Sequence, residues 1–376
     1  MPTGSFIIAC GGTGGHLSPG IALAERLITR GHRVRLIVSR KEVDSRLCRK
    51  YSHLEFVRTP GAPFSLNPVK FAKCVTAQTA ALAFSLRLLR ASRPDAVIAF
   101  GGFTAIGLAA SASILGIPVI LHEANRRPGK AIKLLSKLCS RLYLPPGIFL
   151  SGVHGTKLAH PGYPLRKEIR RMNRDSARQT LGIDTHGKLL VIMGGSQGAS
   201  VFNEWVRSNI EFLGTAGINV FCVTGLGKGT EGVFEFPSLL GGTAKAWFIP
   251  FADKVAELFS AADLVISRAG AGAMAELIQC RTPSILVPYP HAADNHQEEN
   301  ARYLEQQGAS IVVTQNGMDT LRHEVRDLIF NEWMLERMRD NMRQISRHDA
   351  AEWIARDLER IVLEHTTAET PISQTA

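Results

Sequence analysis

The feature that most constrains the fold of this chain is an apolar run followed at once by a glycine-rich loop, and it occurs twice. The two segments are FIIACGGTGG at residues 6–15 and LLVIMGGSQG at residues 189–198. A strand, a tight glycine turn and a helix form the first unit of a doubly wound sheet. The repeat therefore predicts two such domains, and 376 residues are more than one hydrophobic core usually organises.

Further apolar runs follow in both halves, separated by helical patterns. Continuous apolar runs of this kind indicate parallel strands that are buried on both faces. The predicted fold class is α/β, with two Rossmann-like doubly wound parallel sheets. The predicted strands are 6–10, 34–38, 96–100 and 118–121 in the first half, and 189–193, 218–223, 246–249, 263–267 and 284–288 in the second.

The segment HPGYPLR, residues 160–166, marks the predicted hinge between the domains. Its residues Pro161, Gly162 and Pro164 interrupt both helix and strand. After Asp319 the pattern is helical to about His365. The predicted organisation is an N-terminal domain at 1–162, a C-terminal domain at 163–345, a helix at 346–365 that packs back on the N-terminal domain, and a disordered tail at 366–376.

The positive charge belongs to one half of the chain. Residues 1–165 carry 22 Lys and Arg against 6 Asp and Glu, whereas residues 166–376 carry 22 against 27. Basic and apolar residues share the segment 64–93, which contains no acidic residue. This pairing favours an anionic membrane surface, where each nearby cation contributes about 1 kcal/mol. A solubilising surface stays open as the alternative, and no nucleic-acid motif accompanies the charge, so no nucleic acid is expected.

Several cofactor and metal classes are disfavoured by the motifs. The six cysteines are scattered, without a CxxC pair or a histidine cluster, so we expect a reducing cytosol and no metal. The apolar run at 6–10 is too short for a signal peptide or a membrane span. A dinucleotide fingerprint begun at Gly12 would need glycine where Leu17 stands, which disfavours a nicotinamide enzyme.

The polar residues that could carry chemistry cluster after the predicted strands. The loop at 11–15 can present backbone N–H groups to an anion, and His16 follows it as either a catalytic imidazole or a surface residue. In the second loop Ser196 could donate to a phosphate or cap its own helix. Glu276 could bind two ribose hydroxyls or stabilise a helix start. The polar run at 294–300 suggests sugar recognition.

Five segments carry a resemblance to one known family: GGTGGHLSPG (11–20), PVILHEANRRPG (118–129), GGSQGAS (194–200), SRAGAGAMAE (267–276) and PYPHAADNHQEENA (288–301). In this order they resemble the MurG family, the N-acetylglucosaminyltransferases of peptidoglycan synthesis that convert lipid I into lipid II. The resemblance runs from about residue 5 to residue 360. It implies a GT-B fold, with two domains facing each other across a cleft.

The resemblance also implies the partners of the chain. The donor would be UDP-GlcNAc and the acceptor lipid I, an undecaprenyl-pyrophosphoryl-MurNAc-peptide. The protein would lie peripherally on the anionic cytoplasmic face of the membrane, with cell-wall synthesis and division proteins as further partners. No cofactor or divalent metal is implied, and the sequence has no Asp-x-Asp pair of the kind that metal-dependent transferases use.

Residue by residue, the resemblance implies an inverting transfer with His16 as general base. Asn125 matches an Asn of the family, with His122 and Glu123 shaping the acceptor cleft, and Arg166 would pair with the diphosphate. The remaining implied contacts are Thr13, Gly14 and Gly15 with the donor sugar and acceptor, Ser196 with phosphate, Ala252, Ala271, Gly272, Ala273, Met274 and Ala275 with uracil and ribose, Glu276 with ribose, and His296 and Gln297 with GlcNAc hydroxyls.

Three departures from the family pattern fall on the acceptor side. Ala124 stands where the family has Gln, Tyr163 stands where it has Asn, and GGFTAIG at 101–107 replaces GGYxSGP. Two other functions stay open on the residues alone: a UDP-GlcNAc 2-epimerase on the same fold, and a noncatalytic subunit that recruits a transferase to the membrane.

Overall fold

The computed structural model describes residues 3–12, 14–39, 42–61, 68–183, 187–195, 199–229, 231–346 and 349–369. The chain divides into two compact units. The first comprises Met1–Arg166 together with His348–Ala376, and the second comprises Lys167–Arg347. The sequence predicted a boundary between residues 162 and 163, four residues before this division.

The described part of the first unit forms a seven-stranded parallel sheet in the order β3-β2-β1-β4-β5-β6-β7. The order reverses between β1 and β4, which makes the carboxyl ends of these two strands the topological switch point. The strands are β1 Ser5–Ala9, β2 Arg33–Val38, β3 Glu55–Arg58, β4 Ala96–Ala99, β5 Val119–His122, β6 Arg141–Tyr143 and β7 Leu158–Ala159, and the helices are α1 Gly14–Thr29, α2 Glu42–Lys50, α3 Pro68–Ser92, α4 Phe103–Ile114 and α5 Lys130–Leu135.

Helices cover both faces of this sheet, as its apolar strands require. Alternate residues of β1 point to opposite sides: Phe6 and Ile8 pack with α1, whereas Ile7 and Ala9 pack with α4 and α5. Leu89 of α3 belongs to the same core as α4 and α5. The helices α3, α4 and α5 therefore lie on one face of the sheet.

The last helix, α13 Ala350–Glu369, belongs to the first unit. Its residues Ile354 and Leu358 are fully buried in the core that also contains α1. Glu359 accepts a hydrogen bond from the Arg30 Nη2 at 2.7 Å, and this bond, against the opposing effect of burial, lowers the pKa of Glu359 to about 2. The helix extends past the predicted end at 365, and residues 370–376 of the predicted tail lie outside the described residues.

The described part of the second unit repeats the doubly wound plan, with strand order β10-β11-β9-β8-β12-β13-β14 and a reversal between β8 and β12. Its strands are β8 Lys188–Met193, β9 Ile218–Val223, β10 Gly232–Pro237, β11 Thr243–Ile249, β12 Leu264–Ser267, β13 Ser284–Leu286 and β14 Ser310–Val312. Its helices are α6 Arg174–Leu181, α7 Ser200–Thr215, α8 Val255–Ala261, α9 Ala271–Cys280, α10 His296–Gln306, α11 Leu321–Ile329 and α12 Glu332–Ile345. The predicted α/β fold class of two parallel sheets is confirmed.

One strand departs from the predicted all-parallel pattern. The edge strand β10 pairs antiparallel with β11. Its side chains are mostly exposed, including Val233 and Phe234, so it lacks the buried apolar run that predicted the other strands. The edge of this sheet was for that reason missed from the sequence.

Candidate active site

In the first unit, His16 lies at the topological switch point. It follows β1 on the first turn of α1, and its ring packs against Gly101 and Gly102, which follow β4. A Cβ atom on Gly102 would lie 3.2 Å from the Nδ1 of His16, and a Cβ atom on Gly101 would lie 3.6 Å from the Nε2. Both glycines have a positive φ, so their backbone needs glycine as well. The glycine pair after β4 therefore makes room for the imidazole.

The start of α1 is tied to the predicted hinge segment. Pro19 lies inside α1 and has no N–H to donate to the carbonyl of Gly15, four residues earlier. The Tyr163 hydroxyl donates to that carbonyl at 3.2 Å. Tyr163 is one of the three departures from the family pattern, and it contacts the residue directly before His16.

His122 is a buried histidine at the end of β5. Its Nε2 donates to the Gly162 carbonyl at 2.9 Å, and its ring packs against Phe100 with a centroid separation of 5.0 Å. Burial, with a smaller contribution from the nearby His16, lowers the pKa of His122 to about 4, although hydrogen bonds with backbone groups oppose the shift. His122 is therefore neutral at pH 7.

Glu123 organises the loop that carries Asn125. One carboxylate oxygen accepts from the backbone N–H and the side-chain amide of Asn125, at 2.9 and 3.0 Å. The other accepts from the Gly129 N–H at 2.8 Å. Glu123 is buried, so its role in this structure is to hold the loop after β5 in shape. Asn125 is half-buried beside it.

Arg166 is the last residue of the first unit. Its side chain is buried, and the Nη1 donates to the Tyr51 hydroxyl at 3.3 Å. A buried guanidinium costs desolvation energy unless anions or hydrogen-bond acceptors surround it.

Thr13, which the resemblance places beside His16, lies outside the described residues.

In the second unit, the predicted donor residues follow the carboxyl ends of neighbouring strands. Ala252 follows β11, the segment 271–276 follows β12, and His296 and Gln297 follow β13. Since β11, β9, β8, β12 and β13 are neighbours in the sheet, these residues share one edge of it. Ser196 follows β8 on the same edge but lies outside the described residues.

The N-terminus of α9 is suited to an anion. Gly270 is its N-cap, and no side chain caps the helix. Backbone N–H groups at such a helix start can donate to phosphate oxygens, and the helix dipole adds about half a positive charge. Ala271, Gly272 and Ala273 keep this end small, while Met274 is buried and Ala275 is half-buried. Glu276 is half-buried on the second turn of the helix.

The two predicted sugar contacts begin α10. The Gln297 Oε1 accepts from the Tyr289 N–H at 3.0 Å, so the amide nitrogen is the group that can donate to a ligand. The His296 Nδ1 donates to the Ala293 carbonyl at 2.6 Å, which fixes the tautomer so that Nε2 can accept. Both residues carry groups that pair with hydroxyls.

Two further polar residues lie at this edge: Arg268, which was not singled out from the sequence, and Asn300, which was noted only as part of the polar run at 294–300. Arg268 follows β12, and its guanidinium donates to the carbonyls of Val287 and Pro288 and, at 2.7 Å, to Gln315. Burial lowers its pKa. Asn300 is fully buried and donates to the Ala269 carbonyl at 3.1 Å. The sequence signal for Arg268 was a charged side chain inside an otherwise small and apolar segment.

The comparisons with known proteins cover both units. Residues 6–144 match the glycosyltransferase family 28 N-terminal domain, and residues 189–354 match the glycosyltransferase family 28 C-terminal domain. A relative from Opitutus terrae is 49% identical over 99% of this chain and 99% of its own length. The chain belongs to glycosyltransferase family 28. That relative is named a UDP-N-acetylglucosamine--N-acetylmuramyl-(pentapeptide) pyrophosphoryl-undecaprenol N-acetylglucosamine transferase.

Other members of family 28 agree with this assignment. A relative of the same name from Prochlorococcus marinus is 34% identical over 94% of this chain and 96% of its own length. The crystal structure of MurG from Acinetobacter baumannii superposes with a TM-score of 0.72 and 24% identity, over 96% of this chain and 100% of that one. At that identity the structure shows the fold, which is of the GT-B type.

Proposed function

We propose that this protein transfers GlcNAc from UDP-GlcNAc to the 4-hydroxyl of the MurNAc residue in undecaprenyl-pyrophosphoryl-MurNAc-pentapeptide, and so converts lipid I into lipid II in peptidoglycan synthesis. The observation that carries the proposal is the 49% identity to the Opitutus terrae relative over 99% of both chains. An alignment of this extent covers the donor-side and the acceptor-side segments alike. The chain is accordingly an N-acetylglucosaminyltransferase.

The second unit would bind the donor. The amide groups at the start of α9 and the loop at 194–199 would hold the diphosphate, because both follow strands at the switch point of the sheet. Glu276 would accept hydrogen bonds from the ribose hydroxyls, and Ala252 with the segment 271–275 would line the uracil. His296 and Gln297 would contact the GlcNAc hydroxyls.

The first unit would supply the acceptor side and the base. The MurNAc 4-hydroxyl attacks the anomeric carbon of GlcNAc, the bond from that carbon to the diphosphate oxygen breaks, and UDP leaves with inversion. His16 would take the hydroxyl proton, a role that typically contributes a factor of about 100 or more. Neutral His122 nearby adds no positive charge that would oppose protonation of His16. Arg166 would stabilise the charge of the departing UDP.

The direct test uses UDP-GlcNAc labelled in the sugar, with purified chain and lipid I. The proposal predicts label in a lipid-linked disaccharide. The alternative of a 2-epimerase predicts label only in a nucleotide sugar, formed equally well without lipid I. A noncatalytic subunit predicts no labelled product of either kind.

We also propose that the first unit docks on the cytoplasmic face of an anionic membrane. Among the described residues no helix is both long and apolar enough to cross a bilayer. Val75 of α3, Ile114 at the end of α4, and Leu134 and Leu138 at α5 are large apolar side chains exposed on one face of the sheet. Exposed lysines accompany them: Lys130, Lys133 and Lys137.

This docking face differs in part from the segment 64–93 that the sequence indicated. Leu88 packs against the core of the unit, Phe84 is half-buried, and the side chain of Phe71 lies outside the described residues. The lysines on α5 and directly after it are an addition that only the fold brings beside α4. Cell-wall synthesis and division proteins stay predicted partners.

The docking proposal is tested with vesicles that contain phosphatidylglycerol. Replacing Val75, Leu134 and Leu138 together by Ser should remove most vesicle binding, because it removes apolar area that would enter the interface. The matched control replaces three exposed aliphatic residues of the second unit: Val233, Leu239 and Leu240. Equal binding by both triple variants would place the membrane contact elsewhere.

A further inference from the structure

The second unit contains a cleft at the edge of its sheet opposite the candidate donor residues. The cleft encloses about 490 Å³, a volume within the range of small-molecule sites. Ala262, Cys280 and Thr282 line it, and they precede the amino ends of β12 and β13. The donor residues follow the carboxyl ends of the same strands, so a ligand here would leave them accessible.

The charge of the lining is positive. Four arginines and two glutamates line the cleft: Arg171, Arg174, Arg281, Arg339, Glu332 and Glu336. Arg174 pairs with Asp263 at 3.0 Å, and Arg339 pairs with Glu336 at 3.0 Å. Glu332 pairs with Lys188 beside the cleft. Asp263 is also shared with Arg178 and Lys188, and two arginines of the lining have no carboxylate partner within the described part of the chain.

Among the described residues, the side chains of Arg171 and Arg281 have neither an ion pair nor a hydrogen bond. Arg171 is exposed and Arg281 is half-buried. Arg281 also has a left-handed backbone, with φ of 53°, directly after α9, where glycine or asparagine is usual. Arg281 thus lies at the cleft although its left-handed backbone conformation is unfavourable for an arginine.

We propose that this cleft binds a small phosphorylated ligand, with Arg171 and Arg281 holding its phosphate oxygens. Guanidinium groups match phosphate geometry through paired N–H donors. The Asn173 side chain already accepts from the N–H groups of Asp175 and Ser176 at the start of α6. These N–H groups are therefore occupied, and the donors to the phosphate would be the arginines. Burial raises the pKa of Cys280 to about 12, so this thiol adds no negative charge to the cleft.

The test is calorimetric titration of inorganic pyrophosphate into the full chain at constant ionic strength, with saturating UDP present so that the candidate donor site is already occupied. The cleft variant combines Arg171→Gln with Arg281→Asn, since Asn tolerates the left-handed backbone. The control variant combines Arg207→Gln with Arg326→Gln, two exposed arginines outside the cleft, and loses the same charge. Wild type and control should bind equally, and the cleft variant should bind about tenfold more weakly or worse.

The single variant Arg171→Gln guards against a folding defect, because it changes only an exposed side chain, and it should already weaken binding. Equal pyrophosphate affinity in the wild type, the cleft variant and the Arg171→Gln variant would overturn the proposal, as would no binding by the wild type at millimolar pyrophosphate. A parallel titration with phosphatidylglycerol vesicles separates a soluble ligand from a lipid headgroup. Vesicle binding that depends on Arg171 and Arg281, without pyrophosphate binding, would contradict the soluble ligand.

Discussion

Single buried polar residues govern how the first unit responds to pH and how the site holds its shape. His122 stays neutral because its ring is enclosed at the end of β5, and Glu123 beside it holds the following loop through backbone N–H groups. Neither side chain is exposed. Their contribution is to position neighbours, whereas His16 and Glu276 carry the groups proposed to contact substrate.

Replacing His122 should change the pH dependence of stability. Its pKa is about 4 in the folded chain against 6.5 for an ordinary histidine, so below pH 6.5 only the unfolded state takes up the proton. Stability from this residue is therefore full above pH 6.5 and is lost as the pH falls toward 4, by about 2–3 kcal/mol. Urea unfolding at pH 4.5 and pH 7 should show this loss in the wild type, and His122→Gln should lack it. A parallel pH dependence in both proteins would contradict the assignment.

Replacing Glu276 should weaken UDP binding through the ribose. Two charge-assisted hydrogen bonds to ribose hydroxyls are worth roughly 10- to 100-fold in affinity, so Glu276→Gln should raise the dissociation constant by about that factor. The control is 2′-deoxyuridine diphosphate. It should bind the wild type more weakly than UDP binds the wild type, whereas the variant should bind the two nucleotides about equally. An equal discrimination between the two nucleotides in both proteins would place Glu276 away from the ribose.

At the scale of elements, ion pairs as well as apolar packing hold α13 on the rest of the first unit. Asp357 accepts from the Arg141 Nε and Nη2, both at 2.9 Å, and from the Tyr143 hydroxyl at 2.8 Å. Burial raises the pKa of Asp357, but the hydrogen bonds from Arg141, Arg360 and Tyr143 outweigh it and leave the pKa below its ordinary value. The helix thus joins residues more than two hundred positions apart in sequence.

Removing this carboxylate should destabilise the unit strongly. Asp357→Ala leaves the Arg141 guanidinium and the Tyr143 hydroxyl without their buried acceptor, and we expect a loss of about 3 kcal/mol in the free energy of unfolding. Glu364→Ala on the same helix removes an exposed carboxylate and should cost less than about 0.5 kcal/mol. Urea unfolding measures both. A loss below about 1 kcal/mol for Asp357→Ala would show that the contacts of Asp357 with Arg141 and Tyr143 do not stabilise the packing of α13.

The strands and loops that the sequence predicted share one property: a continuous apolar run before glycine or polar residues. The strand at 218–223 has the predicted bounds, and those at 189–193 and 263–267 differ by one residue at their starts. Five strands were missed because each contains only two consecutive apolar residues: β3, β6, β7, β10 and β14. Contacts that depend on distant parts of the chain, such as Tyr163 with Gly15, could not be predicted either.

The residues of the candidate site were likewise predicted in part from the sequence. Position in the motif placed His16, Glu276 and Gln297 after strands, and the fold keeps them there. Burial was the information that the sequence lacked: His122 and Arg268 proved to be enclosed, and their neighbours come from loops far along the chain. Thr13 and Ser196 lie outside the described residues, so their roles stay predictions.

At the scale of the whole molecule, two units of the same plan take different tasks. Both place glycine-rich turns at the switch point of a mostly parallel sheet. The first carries His16 and the proposed docking face, whereas the second carries Glu276, the proposed ribose ligand, and the loop proposed to bind the sugar. The charge asymmetry between the halves follows this division. Family 28 membership over both units explains why one chain carries both sets of residues.

The most direct test of the central claim is steady-state release of UDP from UDP-GlcNAc by the purified chain, with and without lipid I, for the wild type and His16→Ala. We predict release that requires lipid I, and a loss of about 100-fold or more in turnover for His16→Ala with an unchanged dissociation constant for UDP. Release of UDP that does not depend on lipid I, or wild-type turnover in His16→Ala, would contradict the account.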